Sequence, residues 1–329
     1  MSFKRLDPED FLVSVDSVTA TAWSTNSPTL TTFFTSSVTS TNDSYYKNVY
    51  QTASTVSGSA VQFAIAYGNL NGSGSANFND SVPGVSPTRT VYGQYRNLIY
   101  GSETAQFIFG TVTASDFWAI SVDRARYKEH LLKGTFNLQL KNGSSTLVLT
   151  DNSGMVSTDT YLDCGRVYQI VSGSNGVAYT GTGYSATSGS YGLFLPDIAT
   201  IILNPLALSQ SINLEPSRSS DADGLNISKL FTAVSGAASF QVNSEETVTS
   251  DYVFVRARNS EFNYSENPSF ISGSTGDVIF STFINSPQTY MTTVGFYNDT
   301  NDLLAVAKLS KPLTKDFTKE ALLRVKLDF

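Results

Sequence analysis

From Thr289 to Phe329 the sequence leaves little choice but β structure. Two short apolar runs, 291–297 and 303–309, flank Asn298-Asp299-Thr300-Asn301-Asp302, whose side chains bond to their own backbone and accept left-handed turns. A hairpin is expected there. At Lys311-Pro312 the proline has no ladder donor, so the second strand is expected to stop. The chain resumes at 321–329 with Leu323, Val325, Leu327 and Phe329 on one face and Arg324, Lys326 and Asp328 on the other, the two-residue period of a half-buried strand. Composition points the same way: 15% of residues are charged, and 17 Tyr and 21 Phe against 3 Met favour pleated sheet over helix.

With 329 residues, the chain exceeds one ordinary core, and two domains, or three if the N-terminal part is subdivided, are expected. Residues 11–18, 30–38, 45–51, 60–67, 91–100, 106–112 and 117–122 read as strands. Leu6-Asp7-Pro8-Glu9-Asp10 suits a short helical turn capped by Asp7 or, equally, a free arm, and Asp123 to Gly134 is the best helix-like segment, with a cap at its start and a glycine at its end. The clearest early hairpin joins 135–140 to 146–150 across Asn142-Gly143, a pair that readily supplies positive φ. A further strand is expected at 167–171, while 195–208 suits either a buried helix ended by Pro205 or a strand. Segments 68–87 and 172–190 are Gly/Ser-rich loops, the first a candidate for contact between subunits. Residues 215–224 read as a linker between an N-terminal β domain, 1–214, and a C-terminal β domain, 225–329, the latter with a short helix at 225–234 and strands at 252–257 and 278–284. The expected class is mainly β: two β-sandwich-like domains with long Gly/Ser-rich loops and a few short helices.

Residues able to do chemistry are sparse and scattered. The single histidine, His130, has no second histidine for a metal site and is expected at the surface; no G-x-S-x-G elbow surrounds any serine. Cys164 has no partner for a disulfide and is expected to pack as a small hydrophobe. Asp221-Ala222-Asp223-Gly224 resembles part of a calcium loop but puts Leu230 where a bidentate Glu belongs, and Gly181-Thr182-Gly183-Tyr184-Ser185-Ala186 has the glycine spacing of a dinucleotide loop without a following helix. For glycoside hydrolysis, Glu245 and Glu246 point to opposite faces if they lie on a strand, leaving Glu261 with Glu266 as the other carboxylate pair. No catalytic residue, metal ligand or cofactor is therefore assigned. Net charge is -7, which argues against nucleic acid as a main partner. The late bases Lys308, Lys311, Lys315, Lys319, Arg324 and Lys326 are expected on a solvated or partner-facing edge. With no apolar run of spanning length and no secretory leader, the expectation is a soluble chain made in the cytoplasm.

Several stretches carry a resemblance. Thr293-Val294-Gly295-Phe296-Tyr297-Asn298, a polar turn, Leu303-Leu304-Ala305-Val306-Ala307 and Lys311-Pro312 follow in the order of a module found in phage tail and baseplate proteins. Arg256 to Pro268, Tyr191 to Asp197 and Asn204-Pro205-Leu206 likewise resemble structural proteins of contractile-tailed, T4-like bacteriophages of the cyanophage type. The resemblance covers most of the chain and brings no catalytic residues. It implies a virion structural protein, placed in the tail baseplate, assembled in the host bacterial cytoplasm and oligomeric among other tail proteins; a capsid or neck decoration protein is the neighbouring alternative. Tyr, Trp and Asn content leaves a second class open, a module that binds carbohydrate or a host receptor through residues such as Tyr179 or Tyr184.

Overall fold

A computed structural model describes residues 4–35, 46–75, 85–184, 187–218, 225–265 and 268–328. The protein is mainly β, 44% strand and 16% helix, with few and short helices. It divides into a larger unit, Ser17–Glu246, and a smaller one made of Met1–Asp16 with Thr247–Phe329. The division falls within two long strands, Phe11–Thr21 and Asn243–Ala257, and not at the expected linker, of which 219–224 lie outside the described residues.

The larger unit is built on one curled, half-barrel antiparallel sheet, not on two sheets face to face. Its central strands are Gly192–Leu195, Thr200–Leu203, Asp116–Val122 and Val61–Asn69, hydrogen-bonded in that order. The register sets Phe63 opposite Val122, Ile65 opposite Ile120 and Tyr67 opposite Trp118, so these six share one face, while Ala66, Phe117 and Ala119 take the other. On the first face the helix Asn226–Ala237 buries Ile227, Leu230, Ala233 and Val234, and the helix Pro205–Ile212 buries Ala207, Leu208 and Ile212. On the second, the helix Thr88–Tyr100 buries Val91, Tyr92 and Ile99, joined by Phe107 and Phe109 of a small hairpin. Strands covered on both sides lose the in–out alternation, which is why Ile201-Ile202-Leu203 reads as an unbroken apolar run. The ambiguous segment 195–208 is thus a strand followed by a helix that Pro205 begins; Asn204 caps it, accepting the Leu206 N–H at 3.1 Å. Gly192 is required by close approach: a Cβ there would sit 2.0 Å from the Ile202 carbonyl oxygen of the paired strand.

Other expectations fared unevenly. The strands near 45–51, 60–67, 117–122 and 167–171 are present, as is the hairpin closed by Gly143 at φ 60. Residues 91–100, expected as strand, are helical because Val91, Tyr92, Tyr95 and Ile99 fall on one helical stripe against the sheet, and left-handed Gly101 ends it. The expected helix from Asp123 to Gly134 is only a turn, Arg124–Arg126, followed by the strand His130–Leu131; pairing with Glu245 and Ser244 and burial of Leu131 override local propensity. Of 30–38, only Leu30, the end of the strand Thr29–Leu30, and Phe34–Thr35 are strand within the described residues. Helix Asn226–Ala237, expected to open a C-terminal domain, belongs to the larger unit's core.

In the smaller unit, Ser250 to Ala257 pair with Asp328 to Ala321, and the terminal hairpin joins Thr289–Tyr297 to Leu303–Lys315. Pro312 does not stop the second strand. Between the pairs Thr293–Lys308 and Met291–Leu313 the register jumps, so the proline sits in a bulge where no ladder donor is needed. The strand expected at 278–284 is instead a bridge at Val278 and a short helix, Ser281–Asn285.

Candidate functional site

The residues with chemical potential are tied into structural knots. His130 is buried, not at the surface: its Nε2 lies 3.0 Å from Glu245 Oε2, its Nδ1 lies 3.8 Å from Glu129, and the Ser17 hydroxyl donates to the other Glu245 oxygen. A Ser–His relay needs the hydroxyl to face the imidazole; here it faces the Glu245 carboxylate. Burial alone would raise the Glu245 carboxyl, but Ser17 and His130 hold it below the usual range. Cys164 is half-buried and its thiol is pushed up by that burial, away from the thiolate that metal binding or nucleophilic attack uses. Glu261 accepts the Arg258 backbone N–H and pairs with Lys4; its expected partner Glu266 lies outside the described residues, as do residues 221–224 and Ser185-Ala186. No group of three or more His, Cys, Asp or Glu is placed to hold a metal among the described residues.

Two ion-pair groups of the larger unit have no sequence signature, since their members are far apart in the chain. Arg166 donates through Nε and its backbone N–H to Asp197, at 2.9 and 2.7 Å. Lys133 Nζ and the Tyr168 hydroxyl both donate to Asp159, at 2.9 and 2.7 Å. Burial alone would raise the Asp197 carboxyl, yet Arg166 holds it below the usual range; Lys133, then Tyr168, do the same for Asp159. Burial and the bond to Asp159 push Tyr168 up to about 12. A carboxyl depressed in the folded state stabilises above its unfolded value near pH 4, and this is lost as pH falls through the folded value. Asp197→Asn is therefore expected to flatten the loss of stability below about pH 4 by roughly 1 kcal/mol, after allowance for solvent screening. Urea midpoints measured across that range check it; an unchanged acid slope counts against the assignment. Buried Asp151, raised by desolvation, works in the opposite sense.

The late lysines divide. Lys308, Lys311, Lys319 and Lys326 reach solvent as expected, but Lys315 is fully buried. Its ammonium donates to the Asn259 carbonyl at 3.0 Å, Asn263 Oδ1 at 2.7 Å and the Asp316 carbonyl at 3.0 Å, which uses all three protons. Lys315→Met leaves those acceptors unpaired and is expected to destabilise the smaller unit by about 2–3 kcal/mol. Faster amide exchange around residues 259–263 is the readout; unchanged exchange contradicts it.

Among the described residues, the smaller unit buries few apolar side chains. Its buried hydrophobic side chains, among the described residues, are Val253, Ala257 and Ala321. Against these stand Phe11, Val13 and Val15 on one side of the first long strand and Leu12 on the other, all exposed, and Leu304, Val306 and Phe317 in the terminal segment. Val15 is 64% exposed and Ile284 70%, values far from those of a folded interior. A two-stranded hairpin with so little apolar cover is marginal by itself. Exposed apolar strands of this length also invite pairing with another chain.

In comparisons with protein-family models, curated proteins and solved structures, nothing matches this chain.

Of the two tyrosines considered for sugar contact, Tyr179 is exposed, whereas Tyr184 packs against the larger unit's core. The described parts of the 68–87 loop are anchored, Ser75 N–H to the Ser86 carbonyl and Arg89 N–H to that of Ser73; residues 76–84 lie outside the described residues. The exposed strand of 11–18 was readable as a strand, but its lack of cover was not, because an alternating pattern does not say whether a partner face exists within the chain.

Proposed function

We propose that this chain is a structural component of a tailed-phage virion, placed in the contractile-tail baseplate and assembled in the host bacterial cytoplasm, that works through subunit–subunit interfaces. The observation that carries this reading is the exposed apolar side-chain set on the smaller unit's strands, which only a neighbour can remove from water. Other tail proteins are the partners on this reading, and the lysines beside the apolar positions fix register. The motif resemblance of 293–298, 303–307 and 311–312 falls on the same hairpin. Immunogold labelling of intact particles tests it: label at the baseplate is expected, together with defective tails when the gene is removed. Label confined to the capsid, or normal infectious particles without the chain, would overturn it. Exposed Tyr179 keeps a second reading alive, a carbohydrate-binding tail module, which predicts calorimetric binding of host lipopolysaccharide that Tyr179→Ala weakens.

A further inference from the structure

Each strand of the terminal hairpin has one edge turned away from its partner, and the two edges differ. Leu303–Lys315 carries several devices that keep a sheet edge from pairing: Lys308 and Lys311 reach solvent, and Pro312 has no donor to offer. Both register irregularities also fall on this strand. Thr292 alone stands against residues 309–312, and Leu304 has no opposite residue between the pairs Phe296–Ala305 and Tyr297–Leu303. Thr289–Tyr297 has none of these guards. It is an unbroken strand of 9 residues with no charge and no proline, and among the described residues its hydrogen-bonded neighbour strand is Leu303–Lys315 alone. Tyr290, Thr292, Thr293, Gly295 and Tyr297 along it are exposed. The outer strands of the smaller unit's other sheet do carry charge, Asp16 in Phe11–Thr21 and Arg324, Lys326 and Asp328 in Ala321–Asp328. An unguarded row of backbone N–H and C=O groups of this length is a template for another strand.

The residues of this strand point to its own copy as the partner. A two-fold axis perpendicular to a sheet keeps every side chain on its face, so identical antiparallel strands meet about a residue and not between residues. With the axis at Thr293, the midpoint, the whole strand is paired: Tyr290 with Phe296, Thr289 with Tyr297, Thr292 with Val294, Met291 with Gly295, and Thr293 with its own counterpart. These are aromatic–aromatic, aromatic–β-branched and Thr–Thr pairs, the kinds that stabilise a sheet, and each off-axis pair occurs twice. No like charges are set against each other. A charged foreign strand would find no countercharge along this edge.

We propose that two copies of this chain pair edge to edge through Thr289–Tyr297, antiparallel about a two-fold axis at Thr293, so that two marginal hairpins become one four-stranded sheet. This rests on the reading that neighbours finish the smaller unit's strands, and it names one of those neighbours. A single strand edge is a small contact, so the pairing is weak in dilute solution and is sustained where an assembly holds copies close together. Sedimentation velocity of the full chain from about 1 μM to about 1 mM covers that regime, and a concentration-dependent shift from monomer to dimer is expected. Thr293→Lys sets two ammonium groups against each other on the axis and weakens the dimer by roughly tenfold or more. Thr293→Glu does the same with two carboxylates, and mixing the two variants restores dimerisation. Because Thr293 is exposed, the hairpin tolerates either change, and a misfolded variant could not be rescued by mixing. Ser310→Lys, on the guarded strand, leaves the dimer at the parent's level. A parent that stays monomeric throughout, variants at Thr293 that dimerise like the parent, an equal effect of Ser310→Lys, or a mixture that stays monomeric overturns the proposal. Baseplate label without dimerisation overturns the pairing alone; dimerisation of a chain missing from the particle overturns the virion placement alone.

Discussion

Trp118→Ala is expected to lower the stability of the larger unit by about 4–5 kcal/mol, a large share of the 5–15 kcal/mol a domain has in total. The indole is fully buried on the sheet face shared with Phe63, Ile65 and Tyr67, its ring 5.7 Å from that of Tyr67. Its N–H also reaches across to the Asn226 carbonyl at the start of helix Asn226–Ala237, so the same side chain fills the core and pins the helix. Asn226 in turn bonds both the N–H and the carbonyl of Ser217. Alanine leaves a cavity and an orphan carbonyl together. Trp118→Phe keeps most of the volume and loses only the donor, for about 2 kcal/mol. Thermal unfolding separates the two, with a fall of roughly 10–15 °C for alanine. An alanine variant within 1 kcal/mol of the parent would mean that this face is not the principal core.

Asn204→Ala is expected to cost about 3–4 kcal/mol, unusually much for a small polar side chain. The residue is fully buried, donates to the Ser188 and Ser190 carbonyls at 2.7 and 2.8 Å, and caps the helix Pro205–Ile212. It thus ties a glycine-rich loop to a helix start beside the central strands. Asn204→Ser keeps an oxygen for the cap but cannot reproduce both donors, and should fall about halfway. Chemical denaturation gives the two values, and limited proteolysis at 187–190 reports whether the loop has come free. Equal loss in both variants would show that the cap contributes nothing.

How much of this was legible depended on whether a segment's partner lay nearby in sequence. Hairpins closed by Asn142-Gly143 and by 298–302 could be read directly, because turn chemistry and alternation sit side by side. The 321–328 strand showed its faces, though not that its partner is 250–257. Helix Thr88–Tyr100 was misread because Val91, Tyr92, Tyr95 and Ile99 suit a strand by residue type, and only packing on Phe117 and Ala119 settles the period. His130 was misplaced for a related reason: its partner Glu245 is 115 residues away.

Central to the account is that the smaller unit's strands are finished by neighbours. Hydrogen–deuterium exchange, followed by mass spectrometry on the free chain and on assembled particles, tests this most directly. Amides of residues 11–16, 289–297 and 303–315 should exchange rapidly in the free chain and become strongly protected in the particle, while those of Asp116–Val122 stay protected in both. Equal and strong protection of the terminal strands in the isolated monomer would contradict it.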